Sequence, residues 1–380
     1  MTLPAPAEPG MPLADVDTPA LLIDLDAFER NLARMAQLVS RYPNVRLRPH
    51  AKSHKSPIVA LKQMALGAVG VCCQKVSEAE ILFKGGVGDV LIANEIVGRR
   101  KLDRFAALAR EAKVAVCADN PQIIPELEAA ASRADVSLEV LVEIDCGGRR
   151  CGTEPGKPAA ELAQAIAESA HLSFGGLHAY YGIAQHFRAD AERQAAIASA
   201  GERVKQTLAE LDRVGVPCPI VTGAGTGTFE TEAASGIWNE LQPGSYIFMD
   251  VDYAKNKRAD GGPFNTFEHA LFVLATVMSA PDRDRAVIDA GHKALSNDAG
   301  FPILPGLQGA TYHRPSDEHG ALDVSACQQR PALGDKLLLI PGHCDPTVNL
   351  HDWYVCVRGL HTPDAHVAEI WPVAARGAVF

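Results

Sequence analysis

The sequence lacks three features that would place it in a membrane, zinc-binding or nucleic-acid-binding class. No apolar run among its 380 residues approaches the length of roughly 18 that a membrane-spanning helix needs. Its nine cysteines are scattered and form no Cys-x-x-Cys pair with the spacing of a zinc site. Its formal net charge of -10 argues against nucleic acid or an anionic membrane surface as the main partner.

The cysteines and the first residues of the chain also bear on the cellular compartment. The number of cysteines is odd, and residues 1–16 show no pattern of a secretory signal peptide. We therefore expect reduced thiols in a cytoplasmic protein. With 47% hydrophobic and 22% charged residues, the chain has the composition of an ordinary soluble globular protein. Its length suggests two domains, or one large barrel with an appendage.

Short apolar runs alternate with amphipathic helical stretches through the first two thirds of the chain. After an initial strand, strands are predicted at 45–50, 69–73, 89–94, 114–118, 138–144, 173–180, 219–222 and 240–247. Alternating strands and helices predict a parallel sheet with right-handed crossovers. Eight such strands are the number that closes a (β/α)8 barrel. An open, doubly wound α/β sheet is the competing architecture.

The pattern of alternating strands and helices ends at about residue 267. Strand-like segments separated by turns, without a convincing helix, predict a second, mostly antiparallel β domain; they lie at 270–278, 285–289, 336–340, 353–357 and 367–371. The initial strand at 20–25 fits that sheet, and Asp26 is predicted to cap the helix after it, with Glu29 as capping-box partner. We therefore predict a barrel over 27–262 and a discontinuous β domain formed by 1–26 and 263–380.

A basic stretch at 48–55 (RPHAKSHK) lies between a predicted strand and a predicted helix. In α/β barrels the loops after the strands converge on the face that carries the chemistry. A lysine there can be buried, lose its proton more easily, and form a Schiff base with a carbonyl or with pyridoxal phosphate (PLP). A solvated basic loop is the alternative that these residues alone leave open.

A glycine-rich turn at 222–228 (TGAGTGT) follows the predicted strand at 219–222. Glycines let backbone N–H groups approach a phosphate closely, and threonine hydroxyls add donors. Phosphate sites in barrels tend to form from the loops after the seventh and eighth strands, so residues 244–246 could complete the site. An NAD-binding turn is the alternative, although the spacing is not GxGxxG. A plain tight turn is also possible.

Two further loops follow strands of the predicted barrel. Residues 178–186 (HAYYGIAQH) contain Tyr180 and His186, and a histidine past a strand end is a candidate general base. Residues 145–152 (DCGGRRCG) could present an arginine to an anionic ring or a carboxylate. A structural histidine and a glycine-rich surface turn are the alternatives.

The segment 342–347 (GHCDPT) ends a strand of the predicted β domain. His343 and Asp345, two residues apart, could point to the same side of an extended segment and bind a divalent ion. Two protein ligands would leave open positions for water or substrate, as a catalytic metal site requires. A His-Asp pair in a turn is the alternative.

Taken in order, several of these segments resemble the D-threonine aldolase and D-serine dehydratase family, which are PLP enzymes of the alanine-racemase-like fold. The resemblance rests on RPHAKSHK at 48–55, CCQKVSEAE at 72–80, NELQPGSYIFMD at 239–250, DEHG at 317–320 and PGHCDPT at 341–347. It implies a (β/α)8 barrel that carries PLP, a following β domain, and a homodimer.

The resemblance also implies roles for single residues. Lys52 corresponds to the Schiff-base lysine, His186 to the catalytic base, His343 and Asp345 to the metal ligands, and Asp317 to a substrate-proximal acid. The remaining positions implied to contact PLP are Gln74, Arg150 and Tyr180 around the ring, and Thr222, Gly225, Thr226, Gly227, Gly244, Ser245 and Tyr246 around the phosphate.

The ligand at position 345 favours one reaction within the family. Dehydratases of this group resemble His-x-Cys, which suits zinc, whereas Asp345 is a harder ligand that suits manganese, magnesium or a similar ion. We therefore predict a PLP- and metal-dependent lyase that cleaves a small-molecule D-β-hydroxy-α-amino acid, of the D-threonine type, to glycine and an aldehyde. The alternatives are a 3-hydroxy-D-aspartate aldolase, which would release glyoxylate, a D-serine-type dehydratase, and a non-catalytic PLP carrier.

Overall fold

The computed structural model describes residues 4–380, which form two eight-stranded sheets around a shared hydrophobic core. Residues 1–3 of the predicted 1–26 segment lie outside the described part of the chain. No helix within residues 4–380 has both the length and the apolar character needed to cross a membrane.

Strands and helices alternate up to residue 254, and strands dominate afterwards. The strands are β1 (Ala20–Asp24), β2 (Arg46–Leu47), β3 (Val71–Cys73), β4 (Asp89–Glu95), β5 (Lys113–Ala118), β6 (Leu138–Glu143), β7 (Leu172–Ala179), β8 (Val221–Gly223), β9 (Glu240–Leu241), β10 (Leu271–Ser279), β11 (Arg285–Ile288), β12 (Thr311–His313), β13 (Gly320–Asp323), β14 (Lys336–Leu339), β15 (Trp353–Arg358) and β16 (His366–Pro372). The α-helices are α1 (Leu25–Val39), α2 (Pro57–Ala65), α3 (Val76–Lys84), α4 (Arg99–Leu108), α5 (Ile124–Ala134), α6 (Lys157–Glu168), α7 (Asp190–Arg213), α8 (Phe229–Ala234), α9 (Val251–Ala254) and α10 (Cys344–Val348).

The first sheet is the predicted parallel barrel. Each strand from β3 to β8 pairs with the next one along the chain, and β9 pairs with β2. A single parallel bridge between His50 and Cys72 closes the ring between β2 and β3. The barrel prediction is therefore confirmed, and the open doubly wound sheet is wrong. Because all strands run the same way, the loops after their carboxyl ends meet on one face.

The second sheet is mixed and mostly antiparallel. Its strand order is β12-β13-β11-β10-β1-β15-β16, with β14 paired to β10. β1 runs antiparallel to β10 and parallel to β15, so a strand from the beginning of the chain lies inside the sheet built from its end. The domain boundaries at residues 26/27 and 262/263 stay a prediction.

The predicted cap of α1 is wrong. The helix begins directly after Asp24, whose Oδ1 accepts hydrogen bonds from the amides of Asp26 (3.0 Å) and Ala27 (3.2 Å). The carboxylate of Asp26 instead accepts from the guanidinium of Arg358 on β15, at 2.8 Å, and so does that of Glu29. A tertiary ion pair therefore uses the two carboxylates that the local pattern assigned to capping.

Aromatic rings on α1 and its neighbours join the barrel to the β domain. The ring of Phe28, which is fully buried, lies 5.9 Å from that of Trp371 on β16 and 6.3 Å from that of Phe248, measured between centroids. Phe248 follows β9 at the barrel face, so this cluster packs both sheets against one helix. Burial of such rings stabilises the junction by several kcal/mol, on the order of 2 to 3 for each side chain.

The β domain also binds the backbone of the 48–55 segment directly. The hydroxyl of Tyr354 on β15 donates to the carbonyl of His54 at 2.6 Å. The amide of Ala375 donates to the carbonyl of Lys55 at 2.9 Å. The barrel loop that carries Lys52 is therefore held in place by the second sheet.

A buried group of charges lies where β2, β4 and β9 begin or end. The guanidinium of Arg48 lies 3.0 Å from the carboxylate of Glu240 and 2.6 Å from that of Asp89, and the side chains of Arg48 and Glu240 are 6% and 1% exposed. Burial opposes the charge of Arg48, but the two carboxylates raise its pKa above the ordinary value. Arg48 therefore remains charged inside the barrel.

We predict that Glu240→Gln lowers the free energy of unfolding by about 3 kcal/mol, because Arg48 would keep its charge and lose its buried partner. Urea-induced unfolding followed by circular dichroism measures the change. Asp103→Asn serves as control, since it removes an exposed ion pair with Arg133 and should not change stability measurably. Equal stability of the two variants would contradict the prediction.

Candidate active site

A cavity of about 270 Å³ opens at the carboxyl ends of the barrel strands. It brings together most of the residues that the sequence assigned to PLP. Those that line it are Lys52, Gln74, Arg150, Tyr180, Gly225, Thr226, Gly244 and Ser245. Thr222, Gly227 and Tyr246 do not line it.

Lys52 lies in a short 3₁₀ turn, Ala51–Ser53, that follows the first barrel strand. The imidazole of His50 accepts from the amide of Lys52 at 3.3 Å and so starts this turn. The Lys52 ammonium points into the cavity and forms an ion pair with the carboxylate of Asp345. Burial acts to lower the pKa of Lys52, but Asp345 raises it more, so its pKa lies above the ordinary value. While Asp345 is its partner, the charged form of Lys52 is therefore favoured.

The second lysine of the segment has a structural position. Lys55 is buried, and its ammonium lies 2.6 Å from the carboxylate of Glu78 on α3. Glu78 also accepts from the amides of Gln74 and Lys75, at 2.9 and 3.1 Å. Lys55 therefore connects the 48–55 segment to the start of α3.

Two side chains on neighbouring barrel strands, His178 and Glu143, form one wall of the site. His178 lines the cavity, and its Nδ1 lies 3.0 Å from the carboxylate of Glu143. Its Nε2 lies 3.2 Å from the amide oxygen of Gln242. Burial acts to lower the pKa of His178, but the charge of Glu143 raises it above its ordinary value. Gln242 in turn donates to the hydroxyl of Thr222 at 2.8 Å, which explains why Thr222 does not face the cavity.

Arg150 and Tyr180 form the boundary between this cavity and a second one. The guanidinium of Arg150 lies 5.3 Å from the centre of the Tyr180 ring and 3.6 Å from the Glu143 carboxylate. Burial raises the pKa of Glu143, but His178 and Arg150 lower it more, so the carboxylate is negative. Arg150 is therefore held between an aromatic face and a negative charge.

His50 and Gln74 form the opposite side of the cavity. The side-chain amide of Gln74 lies 2.7 Å from Nε2 of His50 and donates to the carbonyl of Ala93 at 3.0 Å. Burial and the charge of Lys52 lower the pKa of His50 well below its ordinary value. A neutral His50 thus lies directly beside Lys52.

The glycine-rich turn forms the remaining side of the cavity. Ala224 has a φ of 70°, in the left-handed region, and turns the backbone toward the cavity. The hydroxyl of Thr226 lines the cavity, is buried, and has no hydrogen-bond partner within residues 4–380. A Cβ on Gly244 would lie 2.9 Å from the carbonyl oxygen of His50, so only glycine fits there. An unpaired hydroxyl in a close-packed glycine turn fits a phosphate group.

Gly227 and Tyr246 have other partners. The amide of Gly227 donates to the side-chain oxygen of Gln185 at 3.0 Å. The ring of Tyr246 is fully buried, and its hydroxyl accepts from the amide of Gln63 at 3.1 Å. Both residues support the turns around the cavity without facing it.

The second cavity, of about 320 Å³, shares Arg150 and Tyr180 with the first and extends to His186. His186 lies in a 3₁₀ turn, Ile183–His186, after β7. Its Nδ1 lies 2.7 Å from the carboxylate of Asp252 on α9. The predicted catalytic base is therefore beside the lysine cavity and not inside it.

The His343 and Asp345 pair lies at the start of a short helix, which differs from the extended segment that the sequence predicted. His343 is the N-cap of α10 and Asp345 is in its first turn. The thiol of Cys344 donates to the carbonyl of Met249 at 3.2 Å. The cysteine beside His343 is therefore turned away from Asp345 and Lys52.

The atoms at this pair fit a divalent cation. One oxygen of Asp345 pairs with Lys52, and the other, Oδ1, is buried with no hydrogen-bond partner in the described chain. Nδ1 of His343 lies 2.8 Å from the carboxylate of Asp298. Burial acts to lower the pKa of His343, but Asp345 and Asp298 raise it. An imidazole, an unpaired carboxylate oxygen and surrounding negative charge form a set of ligands that manganese or magnesium accepts.

Two other groups within residues 4–380 bring three metal-ligand atoms within 4.8 Å of one another. They are Cys117, Glu143 and His178, and Glu95, Glu143 and Cys151. Both depend on Glu143, which already pairs with His178 and Arg150. The two groups therefore share one carboxylate.

Asp317 is exposed on the turn between β12 and β13 and lines neither cavity. Its carbonyl accepts from the amide of Lys293 at 3.0 Å. The described chain therefore does not bring this predicted residue together with the others.

Several residues of the site have no role assigned from the sequence. The sequence does carry a signal for His178, because it precedes Tyr180 by two residues within the predicted strand at 173–180 and would share its face there. Glu143 ends β6, where barrel chemistry is expected. No local pattern indicates Asp252 or Asp298, which are 66 and 45 residues from their histidine partners.

Comparisons with known proteins agree with this geometry. The family model of the alanine racemase N-terminal domain matches residues 23–252, and a model of a serine dehydratase domain matches residues 270–357. A D-threonine aldolase of Arthrobacter sp is 47% identical over 99% of this chain and 97% of its own. A 3-hydroxy-D-aspartate aldolase of Paracoccus denitrificans (strain Pd 1222) is 45% identical over 98% of this chain and 95% of its own. The crystal structure of D-threonine aldolase from Filomicrobium marinum is 55% identical, covers 99% of this chain and 100% of its own, and superimposes with a TM-score of 0.95.

We predict that Glu143→Gln lowers the pKa of His178 from above its ordinary value to below it. With the carboxylate gone, burial becomes the main influence on the imidazole and favours its neutral form. Titration of histidine-labelled protein by NMR measures the shift. Glu139→Gln, on the same strand, is the matched control and should leave His178 unchanged. A His178 titration that is the same in both variants would contradict the assignment.

Proposed function

The chain belongs to the alanine racemase N-terminal domain family, in the group with D-threonine and 3-hydroxy-D-aspartate aldolases, and we propose that it cleaves D-β-hydroxy-α-amino acids of the D-threonine type. The products would be glycine and an aldehyde. Aldolases of this group are carbon–carbon lyases, and the family implies PLP as cofactor. The observation that carries the proposal is the ion pair between Lys52 and Asp345, because it puts the PLP lysine and the His-x-Asp motif in one site.

The first cavity supplies the contacts that PLP needs. Lys52 would hold the aldehyde carbon, Thr226 and the glycine-rich turn would hold the phosphate, and Arg150 and His178 would face the ring. When bound, PLP supplies an electron sink that stabilises negative charge on the α-carbon of an amino acid. The ion pairs of Glu143 with Arg150 and His178 hold these two cationic side chains at fixed positions beside the ring site.

We propose that His343 and Asp345 bind a divalent metal ion, with manganese or magnesium as the candidates. A bound divalent ion supplies a Lewis acid that makes a hydroxyl more acidic. Asp298 would fix the orientation of His343 through its Nδ1, as carboxylates commonly do for metal-binding histidines. His186 would take the proton of the substrate β-hydroxyl, since it lies on the second cavity and is the family's base by resemblance.

The charges of the second cavity favour a neutral β-substituent. Its lining includes Glu143, Asp145 and Ile183. Burial raises the pKa of Asp145, but hydrogen bonds from the amides of Arg149 and Gly147 lower it, so the carboxylate is negative. A β-carboxylate would meet Glu143 and Asp145, and the guanidinium of Arg150 is already paired. We therefore favour D-threonine over 3-hydroxy-D-aspartate as the substrate type.

The dehydratase alternative is less well supported. By resemblance, dehydratases of this group use a cysteine in the metal motif, whereas Asp345 occupies that position here. The neighbouring thiol of Cys344 points to the carbonyl of Met249. A homodimer, a cytoplasmic location, and the lack of nucleic-acid or membrane partners stay predictions from the sequence.

We predict that Lys52→Ala abolishes the visible absorbance of bound PLP and lowers activity by at least about 10³-fold, because no other cavity residue offers an amine. Absorbance spectra and glycine release from D-threonine measure both effects. Lys52→Arg is the matched control: it keeps the charge opposite Asp345 but cannot form the covalent link, so it should lose the absorbance as well. A Lys52→Ala variant with PLP absorbance and full activity would refute the proposal.

We predict that D-threonine, assayed on a panel of D-amino acids with and without added manganese, yields glycine and acetaldehyde only when metal is present. We expect kcat/KM for 3-hydroxy-D-aspartate to be about 10-fold lower, since its extra carboxylate meets negative charge. The assay measures glycine, aldehyde and keto acid.

We predict that Asp298→Asn weakens manganese binding about 10- to 100-fold, because His343 loses the carboxylate that orients it. Calorimetry measures the change in affinity.

The panel also separates the alternatives. Keto acid instead of aldehyde would indicate a dehydratase. A preference for 3-hydroxy-D-aspartate would contradict the substrate argument but not the aldolase reaction. Turnover that EDTA leaves unchanged would contradict the metal site.

A further inference from the structure

We infer that Asp252 is a positioning residue for His186, and that it presents Nε2 of this histidine to the substrate. The inference rests on the proposed function, in which His186 is the base. Oδ2 of Asp252 lies 2.7 Å from Nδ1 of His186. Asp252 is on α9, after the last barrel strand, whereas His186 follows β7, so two loops of the barrel face meet at this hydrogen bond.

The second oxygen of Asp252 is fixed by an arginine. Nη2 of Arg188 donates to Oδ1 of Asp252 at 2.5 Å, and Nη1 donates to the Asp252 carbonyl at 2.7 Å. The carboxylate is only 9% exposed, whereas His186 is 54% exposed. The ammonium of Lys255 lies farther away, at 3.6 Å. The acceptor is thus rigid and mostly buried, and the imidazole that it holds is open to the cavity.

A second set of hydrogen bonds fixes the backbone that carries His186. Nη1 of Arg188 also donates to the side-chain oxygen of Asn256 at 2.8 Å. The side-chain amide of Asn256 donates to the backbone carbonyl of Gln185, the residue before His186, at 2.9 Å. The 3₁₀ turn and the carboxylate are therefore held by one guanidinium, which keeps their separation constant.

A neighbouring aromatic ring limits how the imidazole can lie. The ring of Tyr253 is 5.9 Å from that of His186, between centroids. Tyr253 follows Asp252 in α9 and also lines the Lys52 cavity. Helix α9 therefore contacts both the lysine cavity and the base.

This geometry decides which nitrogen can accept a proton. Burial raises the pKa of Asp252, but Arg188 and His186 lower it below its ordinary value, so the group is an anion. An anionic acceptor at Nδ1 requires the hydrogen to be on Nδ1, which leaves the lone pair on Nε2. Nε2 lies on the ring edge opposite the carboxylate, and His186 lines the second cavity.

In the reaction, the β-hydroxyl proton passes to Nε2 of His186. The oxygen lone pair forms the aldehyde C=O bond, the Cα–Cβ bond breaks, and its electron pair remains on Cα. His186 then carries a positive charge beside the anionic Asp252, which stabilises it in the same way as in catalytic His-Asp pairs. The function of Asp252 is therefore exerted through His186 and not through contact with substrate.

The test is a double-mutant cycle in the enzyme reconstituted with PLP and manganese. We expect Asp252→Asn to lower kcat for D-threonine about 10- to 100-fold with little change in KM, because the imidazole loses its orienting anion. In a His186→Ala background, the same substitution should change kcat less than about twofold, because Asp252 acts only through the missing ring. Asp252→Glu should recover part of the activity.

Asp260→Asn is the matched control, since it removes an exposed carboxylate that is paired with Arg258 at 2.7 Å, and it should leave kcat unchanged. PLP absorbance and thermal unfolding show whether each variant is folded and loaded. If the Asp252→Asn variant does not fold, Arg188→Gln is tested in its place. It should lower kcat by a smaller factor, and this loss of kcat should also disappear in the His186→Ala background.

Two results would overturn the inference, and they are distinguishable. An equal loss of kcat in both backgrounds would show that Asp252 has only a structural function, and the proposed aldolase function would stand. Full activity of His186→Ala on D-threonine would refute the base in the proposed function and the inference with it.

Discussion

The docking of the β domain onto the 48–55 segment of the barrel is the constraint on which the rest of the site depends. The ion pair between Lys52 and Asp345 joins a lysine of the barrel to a carboxylate of the β domain across 293 positions of the sequence. Either group alone would be a charge at the junction of two sheets. Together they bring the cavity of the barrel and the His343 motif into contact. The aromatic cluster around Phe28 and the hydrogen bond from Tyr354 to His54 hold the two sheets in the arrangement that this pair requires.

Several carboxylates surround this contact, and each of them pairs with a different histidine. Glu143 holds His178 and Arg150 at the barrel wall, and Asp252 holds His186 at the second cavity. Asp298 holds His343 at the β domain. Each of these three histidines thus has its own carboxylate, and the three carboxylates come from different segments of the chain. In the proposed function, this separation lets the imidazole of His186 act as a base while that of His343 binds a cation.

The sequence predicts the barrel well because its evidence is local. Apolar runs of four to eight residues that alternate with helical stretches predict the strand count, and the glycines after β8 mark the predicted phosphate turn. The motif residues Lys52, His343 and Asp345 were identified by resemblance, but their contact was not, since it depends on how two domains dock. α10 was missed because a helix of five residues is too short for a periodic pattern. The cap at Asp26 failed because Arg358, far along the chain, competes for the same carboxylate.

The way in which Tyr354 and Ala375 hold the 48–55 segment has a consequence for synthesis of the protein. The ribosome synthesises Lys52 and all the barrel strands before it reaches Asp345, Tyr354 and Ala375. Until those residues are made, the chain has neither Asp345 opposite Lys52 nor the two hydrogen bonds to the carbonyls of His54 and Lys55. The contacts that position Lys52 are therefore completed only near the end of translation. Chains that end before these residues are expected to lack activity.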